Sequence, residues 1–212
     1  MVTPTGTFTE YTIPTPHSFP IDITAGPDGN VWFTENRGKI GMVTPTGVFT
    51  EFAIPTPYSY PFGITAGPDG NLWFTESISN KIGMVTPTGA FREFPIPTPS
   101  SWPAGIAAGP DGNLWFTESV GNRIGMVTPA GVFTEFPVPT PNSGAYGITA
   151  GPDGAMWFTE ENFNKIGRIT LAGAFREVPT PSSHPYFGIT AGPNRAVWFV
   201  EHDGNKIAYI RP

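Results

Sequence analysis

Residues 61–77 read Pro-Phe-Gly-Ile-Thr-Ala-Gly-Pro-Asp-Gly-Asn-Leu-Trp-Phe-Thr-Glu-Ser, and this stretch decides the fold. Gly63 to Ala66 is a short apolar segment, and Leu72 to Glu76 is an aromatic-rich run of strand length. Between them, Pro68-Asp69-Gly70 places proline where φ near −65° is wanted and glycine where a positive φ is wanted, the chemistry of a tight hairpin connection. Working outward, Lys81-Ile82-Gly83-Met84-Val85-Thr86-Pro87 follows, then a Thr88-Gly89 turn, the segment Phe91-Arg92-Glu93-Phe94 and a Pro-Thr-Pro loop. The unit therefore predicts four short strands joined by three turns.

The unit recurs. Ala-Gly-Pro begins at Ala25, Ala66, Ala108, Ala150 and Ala191, in steps of 41, 42, 42 and 41 residues, so five copies fill the 212 residues as a single domain spanning 1–212. Four-stranded antiparallel units at this period are blades of a β-propeller, whereas a β-sandwich has no reason to repeat its sequence. The expected fold is all-β, a five-bladed β-propeller of four-stranded antiparallel blades. Val2 to Glu10 copies Val43 to Glu51, while the chain finishes on a third strand at Asn205 to Pro212. Outer strands are expected near 7–13, 48–54, 90–96, 132–138 and 174–178, the first completing the last blade and closing the ring. Closure would remove an unpaired edge. A monomer is expected, and the same ends paired between chains would give a domain-swapped oligomer.

Composition narrows function. With 17 acidic and 11 basic residues the net charge is −6, and no Lys/Arg run offers a phosphate backbone a place to dock, so nucleic acid is not an expected partner. The absence of cysteine removes thiolate nucleophiles and thiolate metal sites. The start MVTPTGTFTE lacks the apolar core of a signal peptide and no stretch has the length of a membrane span, so a soluble chain, cytoplasmic as expressed and without a membrane partner, is expected. No phosphate-binding Gly-Lys-Ser/Thr loop, Gly-x-Ser-x-Gly elbow or His-Glu-x-x-His occurs.

Gly-Ile-Thr-Ala-Gly-Pro-Asp-Gly, Leu-Trp-Phe-Thr-Glu, Asn-Lys-Ile-Gly and Phe-Thr-Glu-Phe-x-Ile-Pro-Thr-Pro, together running through all five units, closely resemble the streptogramin B (virginiamycin B) lyases. The resemblance implies a seven-bladed propeller that opens a macrocyclic lactone by Mg²⁺-assisted elimination, with a histidine as general base and a glutamate on the metal. In that family the histidine stands just before the inner strand of a late blade. The matching positions here are Ile21, Phe62, Ala104, Tyr146 and Phe187, none of which moves a proton at neutral pH. The family's glutamate has matches in Glu35, Glu76, Glu118, Glu160 and Glu201.

The residues themselves offer further candidates. Trp32, Trp73, Trp115, Trp157 and Trp198, each followed by Phe, should give one aromatic to each neighbouring blade, because adjacent strand residues face opposite ways. Each motif glutamate precedes a base, Lys39, Lys81, Arg123, Lys165 or Lys206, and pairing across the hairpin is the plain expectation; an acidic ring for a cation is the sharper one. Strand order puts the second-to-third-strand loops and the Pro-Thr-Pro loops on one face, which varies between copies. It carries His17, Phe19, Tyr58, Tyr60, Phe62, Trp102, Tyr146, His184, Tyr186 and Phe187, which either stack on a planar ligand or fold back over the blade ends. All three histidines are expected around the last blade: His184 in its entry loop, His202 beside Glu201, and His17 leaving the strand that completes it. With Glu201, Glu160 and Asp22 as metal candidates, they are the best chemical site, His184 or His202 serving as base and Mg²⁺ as cofactor.

Two functions follow as expectations. One is a propeller scaffold that binds a small molecule on the varied face without lyase activity, with an engineered or excised run of repeats as one origin. The other is a Mg²⁺-dependent lyase opening a cyclic depsipeptide lactone.

Overall fold

The computed structural model describes residue 6, residues 8–181 and residues 184–212. Five antiparallel sheets follow one another. The first blade is β1 (Pro20–Ala25), β2 (Val31–Glu35), β3 (Lys39–Val43) and β4 (Phe49–Ala53); the second is β5 (Pro61–Ala66), β6 (Leu72–Glu76), β7 (Lys81–Val85) and β8 (Phe91–Pro95). The third holds β9 (Pro103–Ala108), β10 (Leu114–Glu118), β11 (Arg123–Val127) and β12 (Phe133–Pro137), and the fourth β13 (Ala145–Ala150), β14 (Met156–Glu160), β15 (Lys165–Ile169) and β16 (Phe175–Pro179). The fifth has three strands, β17 (Pro185–Gly192), β18 (Ala196–Glu201) and β19 (Lys206–Ile210). Each blade runs in simple sequential order. No helix among the described residues is long and apolar enough to cross a membrane.

The core lies between blades, and the alternation of Trp and Phe builds it as the sequence predicts. Trp73 packs with Ile106, Leu114 and Phe116 of the next blade, while Phe74 packs with Trp32 and Ile40 of the one before. Trp32, Trp73 and Trp115 also lie flat on a Phe of their own outer strand, Trp73 on Phe94 with ring centres 5.5 Å apart, and the Trp73 Nε1–H donates to the turn aspartate, Asp69, at 3.0 Å. The buried indole thus has a partner for its one polar atom. Gly83 faces the Phe74 ring so closely that a Cβ there would lie 2.1 Å from Cζ, which fixes glycine in the third strand.

Polar ties repeat with the blades. Thr75 Oγ1 accepts from Gly63 N and donates to Ala104 O of the next inner strand at 2.7 Å; Thr34 and Thr117 do the same to Phe62 O and Tyr146 O. Inner strands therefore meet backbone to backbone in the order β1, β5, β9, β13, β17.

Closure of the ring, expected through an N-terminal outer strand, does not appear among the described residues. Residue 7 lies outside them, Phe8 makes an isolated bridge, and 9–13 form no strand. The last sheet stays three-stranded and β17 shares no packing with β1 like that between successive inner strands. Residues 8–15 contact the first blade as an outer strand contacts the blade that follows it. The Tyr11 ring covers Gly47 and meets Phe49 edge-on at 6.5 Å, as Phe52 covers Gly89 one blade on. Thr15 N and Oγ1 donate to the Glu51 carboxylate at 3.1 and 2.8 Å. The segment is held by the first blade, in the place an outer strand of a preceding blade would take.

Candidate functional site

Four loops on the varied face share one construction. A buried serine, Ser18, Ser59, Ser101 or Ser143, is flanked by residues in the left-handed region: His17 and Phe19, Tyr58 and Tyr60, Ser100 and Trp102, Asn142 and Gly144, with φ between 51° and 65°. Bulky residues pay for that conformation and hold it only where surrounding contacts impose it. In the Ser101 and Ser143 loops, and at the entry to the last blade, the imposition comes from an asparagine in the previous hairpin. Asn80 Oδ1 accepts from Ser101 N at 2.7 Å and from its Oγ at 2.9 Å, Asn122 Oδ1 accepts from Ser143 N, and Asn164 Oδ1 from His184 N at 2.8 Å. The side chains either side of the serine are thereby turned outward.

Three inner strands bring their second or third residue together. Phe62 of β5 meets Tyr146 of β13 at 5.4 Å and Phe187 of β17 at 5.3 Å, both edge-on, and Tyr146 stacks on Tyr186 at 5.1 Å. The blade between β5 and β13 contributes only Ala104 at this level, so the rings reach across it. Burial, with the Tyr186 hydroxyl beside it, pushes the Tyr146 phenol far up, so it stays a neutral donor. Next to this cluster, Phe187 and the glycines of the inner strands line a cavity of about 180 Å³ whose one charged side chain is Asp22. Asp22 accepts from Ile64 N and Ile23 N at 2.9 Å each, while burial raises its pKa.

At the last blade, His184 Nδ1 lies 2.7 Å from Asp203 Oδ2 and His202 Nδ1 lies 2.9 Å from Asp203 Oδ1. His202 N donates to His184 O, tying the entry loop to the hairpin, and the Tyr186 ring stands 5.8 Å from His202. The hydrogen bond from His202 holds the Asp203 carboxyl below its usual range. With Glu161 these residues line a cavity of about 400 Å³. Asp203 was not singled out in the sequence; its position directly after His202 was the available signal. His17 does not join this group: its ring neighbour is Phe19, at 6.4 Å. Tyr58 and Tyr60 line a separate hollow of about 290 Å³ with Arg37 and Ile78, and Trp102 stands half-exposed on its own loop.

The motif glutamates are enclosed instead of forming an exposed ring. Glu35, Glu76, Glu118 and Glu160 have no exposed surface. Their expected partners turn away from them: Lys39, Lys81 and Lys165 pair with outer-strand carboxylates, Glu51, Glu93 and Glu177, at 3.3, 3.6 and 3.0 Å. The lysine chain reaches further along its own face than the hairpin partner lies, and Glu51 and Glu177 already gather Thr15 and Thr140 hydroxyls. Burial raises Glu118 and Glu160 to about 8, helped by the like charge of Glu135 and Glu177, so each buried carboxyl keeps its proton near neutrality. Divalent cations want several converging oxygens. Glu160 sits within the fourth blade, Glu201 is buried at the end of β18, and Asp22 is on β1. Among the described residues no three carboxylates or imidazoles gather as cation ligands, so these residues as placed do not fit a Mg²⁺ site.

Residues 1–212 match the profile of the virginiamycin B lyase family. Among solved structures, selenomethionine-substituted virginiamycin B lyase from Staphylococcus aureus is 43% identical, with a TM-score of 0.92 over 100% of this chain and 76% of that one. A catalytically inactive histidine-to-alanine variant of the same lyase with quinupristin is 45% identical, with a TM-score of 0.95 over 98% of this chain and 72% of that one. A streptogramin B lyase is 43% identical, with a TM-score of 0.93 over 98% and 70%. No curated protein matches the chain.

Proposed function

This chain belongs to the virginiamycin B lyase family, and from that premise we propose that it binds a ring-bearing small molecule, of the cyclic depsipeptide class, on its loop face without opening it. The observation that carries this reading is the aromatic cluster of Phe62, Tyr146 and Phe187. These are three of the five positions where the family resemblance leads one to look for the base, and they hold stacking surface in place of a proton acceptor. Tyr186 extends the surface, and the neutral Tyr146 hydroxyl offers an orienting donor beside it. In this reading the 22.8 kDa chain acts as a monomer; a solution mass of twice that value would point to exchanged ends.

A second reading is supported by one contact, the Asp203 carboxylate between His184 and His202. A carboxylate at Nδ1 orients an imidazole and stabilises its protonated form, leaving Nε2 to take a proton. In a lactone elimination that proton leaves the carbon next to the one bearing the ester oxygen. Its electron pair becomes the new double bond, and the C–O bond breaks to release a carboxylate.

Incubation with a streptogramin B antibiotic, with and without Mg²⁺, separates the two by chromatography and mass spectrometry. Elimination shifts retention at unchanged mass, and hydrolysis adds one water. The expected result is quenching of Tyr and Trp fluorescence on binding with no new species, weakened about tenfold or more in Phe62→Ala/Tyr146→Ala. Turnover that disappears in His202→Ala would establish the lyase reading, and absence of binding would overturn the first.

A further inference from the structure

On the opposite face, where the Pro-Asp-Gly turns lie, the fourth and fifth blades depart from the repeat at four places. In the first three blades the third-strand position opposite the outer strand holds Met42, Met84 and Met126; the fourth holds Arg168, directly opposite Arg176. Like charges opposed across strands repel, so something must compensate the pair. Asp153 takes Arg168 Nε at 2.6 Å and answers one of them. The fifth-blade turn replaces Asp-Gly with Asn194-Arg195. Arg195 stands at φ 54°, where the other four blades have Gly29, Gly70, Gly112 and Gly154 at 76–79°. An arginine held in the left-handed region at a glycine position is a strained choice. The loss of the turn aspartate also leaves Trp198 Nε1 without a hydrogen-bond partner. The fourth departure is Arg211, where the equivalent position of the first blade is Thr44.

These changes converge. Arg168, Arg176, Arg195 and Arg211 line one cavity of about 590 Å³ with Asn194, and Asp153 is the one carboxylate side chain on its walls. The chain has 11 basic residues and a net charge of −6, so four arginines in one pocket concentrate charge against the general balance. Two of the guanidinium groups are already seated on rings, Arg168 over Trp157 at 5.9 Å and Arg211 over Tyr209 at 5.4 Å, which limits the ordering they would need on binding a ligand. Arg176 and Arg195 are exposed, with no ion-pair partner among the described residues.

We propose that this pocket between the fourth and fifth blades binds a small molecule carrying a multivalent phosphate group, gripped by Arg176 and Arg195 with Arg168 and Arg211 as supports. Guanidinium forks match phosphate oxygens two at a time, and a doubly charged group spanning the pocket answers the Arg168–Arg176 repulsion that Asp153 alone does not.

The test uses inorganic pyrophosphate as the probe, titrated calorimetrically into the full chain at fixed ionic strength, beside inorganic phosphate and chloride. Arg195→Gly and Arg176→Thr each restore a residue found at the equivalent position of other blades, so the fold should survive, and Arg195→Gly relieves a left-handed side chain. Expected are saturable binding of pyrophosphate by the parent, tighter than phosphate, and a loss of about tenfold or more in the double variant. Absence of binding in the parent, or equal binding by a folded double variant, would overturn the site. An equal response to chloride would overturn it as well, by reducing the effect to ionic strength.

Discussion

The middle blades and the terminal blades carry nearly the same sequence and live in different surroundings. Ile40, Ile82, Ile124 and Ile166 are at most 1% exposed, whereas Ile207, their equivalent in the last blade, is 72% exposed. On the other side of the repeat, Ile64, Ile106 and Ile148 are 4–8% exposed, and Ile23 of the first blade is 66% exposed. The same residue type is core in one copy and surface in another because a blade buries its side chains only against a neighbour. The last blade also departs chemically on its outward side. Val200 stands where Thr34, Thr75, Thr117 and Thr159 stand, and it has no following carbonyl to receive a hydroxyl.

The sharpest way to break this comparison is Trp115→Ala against Trp198→Ala. Trp115 is fully buried, stacks on Phe136 at 5.5 Å and donates to Asp111, so its loss should cost about 3–5 kcal/mol in urea unfolding. Trp198 is half-buried with an unpartnered Nε1, and its truncation should cost less than half as much. Equal losses would mean that the last blade's open side is covered in solution. Ile124→Ala against Ile207→Ala should follow, at about 2–5 kcal/mol against less than about 0.5 kcal/mol.

Thr117→Val sharpens the polar side of the contrast. It removes the donor to Tyr146 O and the acceptor for Gly105 N, at about 1–3 kcal/mol, while the mirror change Val200→Thr should stay within about 0.5 kcal/mol. A marked stabilisation by Val200→Thr would show that an inner strand does pack there.

The buried glutamates extend the comparison to pH. Folding raises Glu118 and Glu160 to about 8, and Glu35 and Glu76 to about 7, from an ordinary 4.5, with burial the first cause in each. A carboxyl whose folded pKa is raised contributes stability fully below its unfolded pKa and loses it as pH rises through the folded value. The thermal midpoint should therefore fall between about pH 5 and pH 9. Glu118→Gln, neutral throughout, should remove roughly a quarter of that slope, since four glutamates share it. An unchanged slope would mean that this carboxyl is ionised in its pocket.

Parts of the candidate site were legible in the sequence and parts were not. Phe62, Tyr146, Phe187, His184 and His202 were readable as loop-face residues because they interrupt a regular repeat. The left-handed loops were not read, although Asn142 and Gly144, two residues at ease in that conformation, marked the positions in the fourth blade. The asparagine before Lys-Ile-Gly or Arg-Ile-Gly in the second, third and fourth blades was likewise visible, but its bond to the next blade's loop joins residues about twenty positions apart. Asp203 sat beside His202 in the sequence, and only folding placed it against His184.

What the sequence determined by itself is what depends on neighbours along the chain. The period, the strand alternation that assigns Trp and Phe to opposite sides, and the turns that require glycine are all set within one repeat. Only the tertiary structure decided which lysine meets which glutamate, where three aromatic rings converge and which turn became a basic pocket. Those outcomes depend on angles between sheets and on side chains meeting from different blades, and near-identical repeats carry little local information about either.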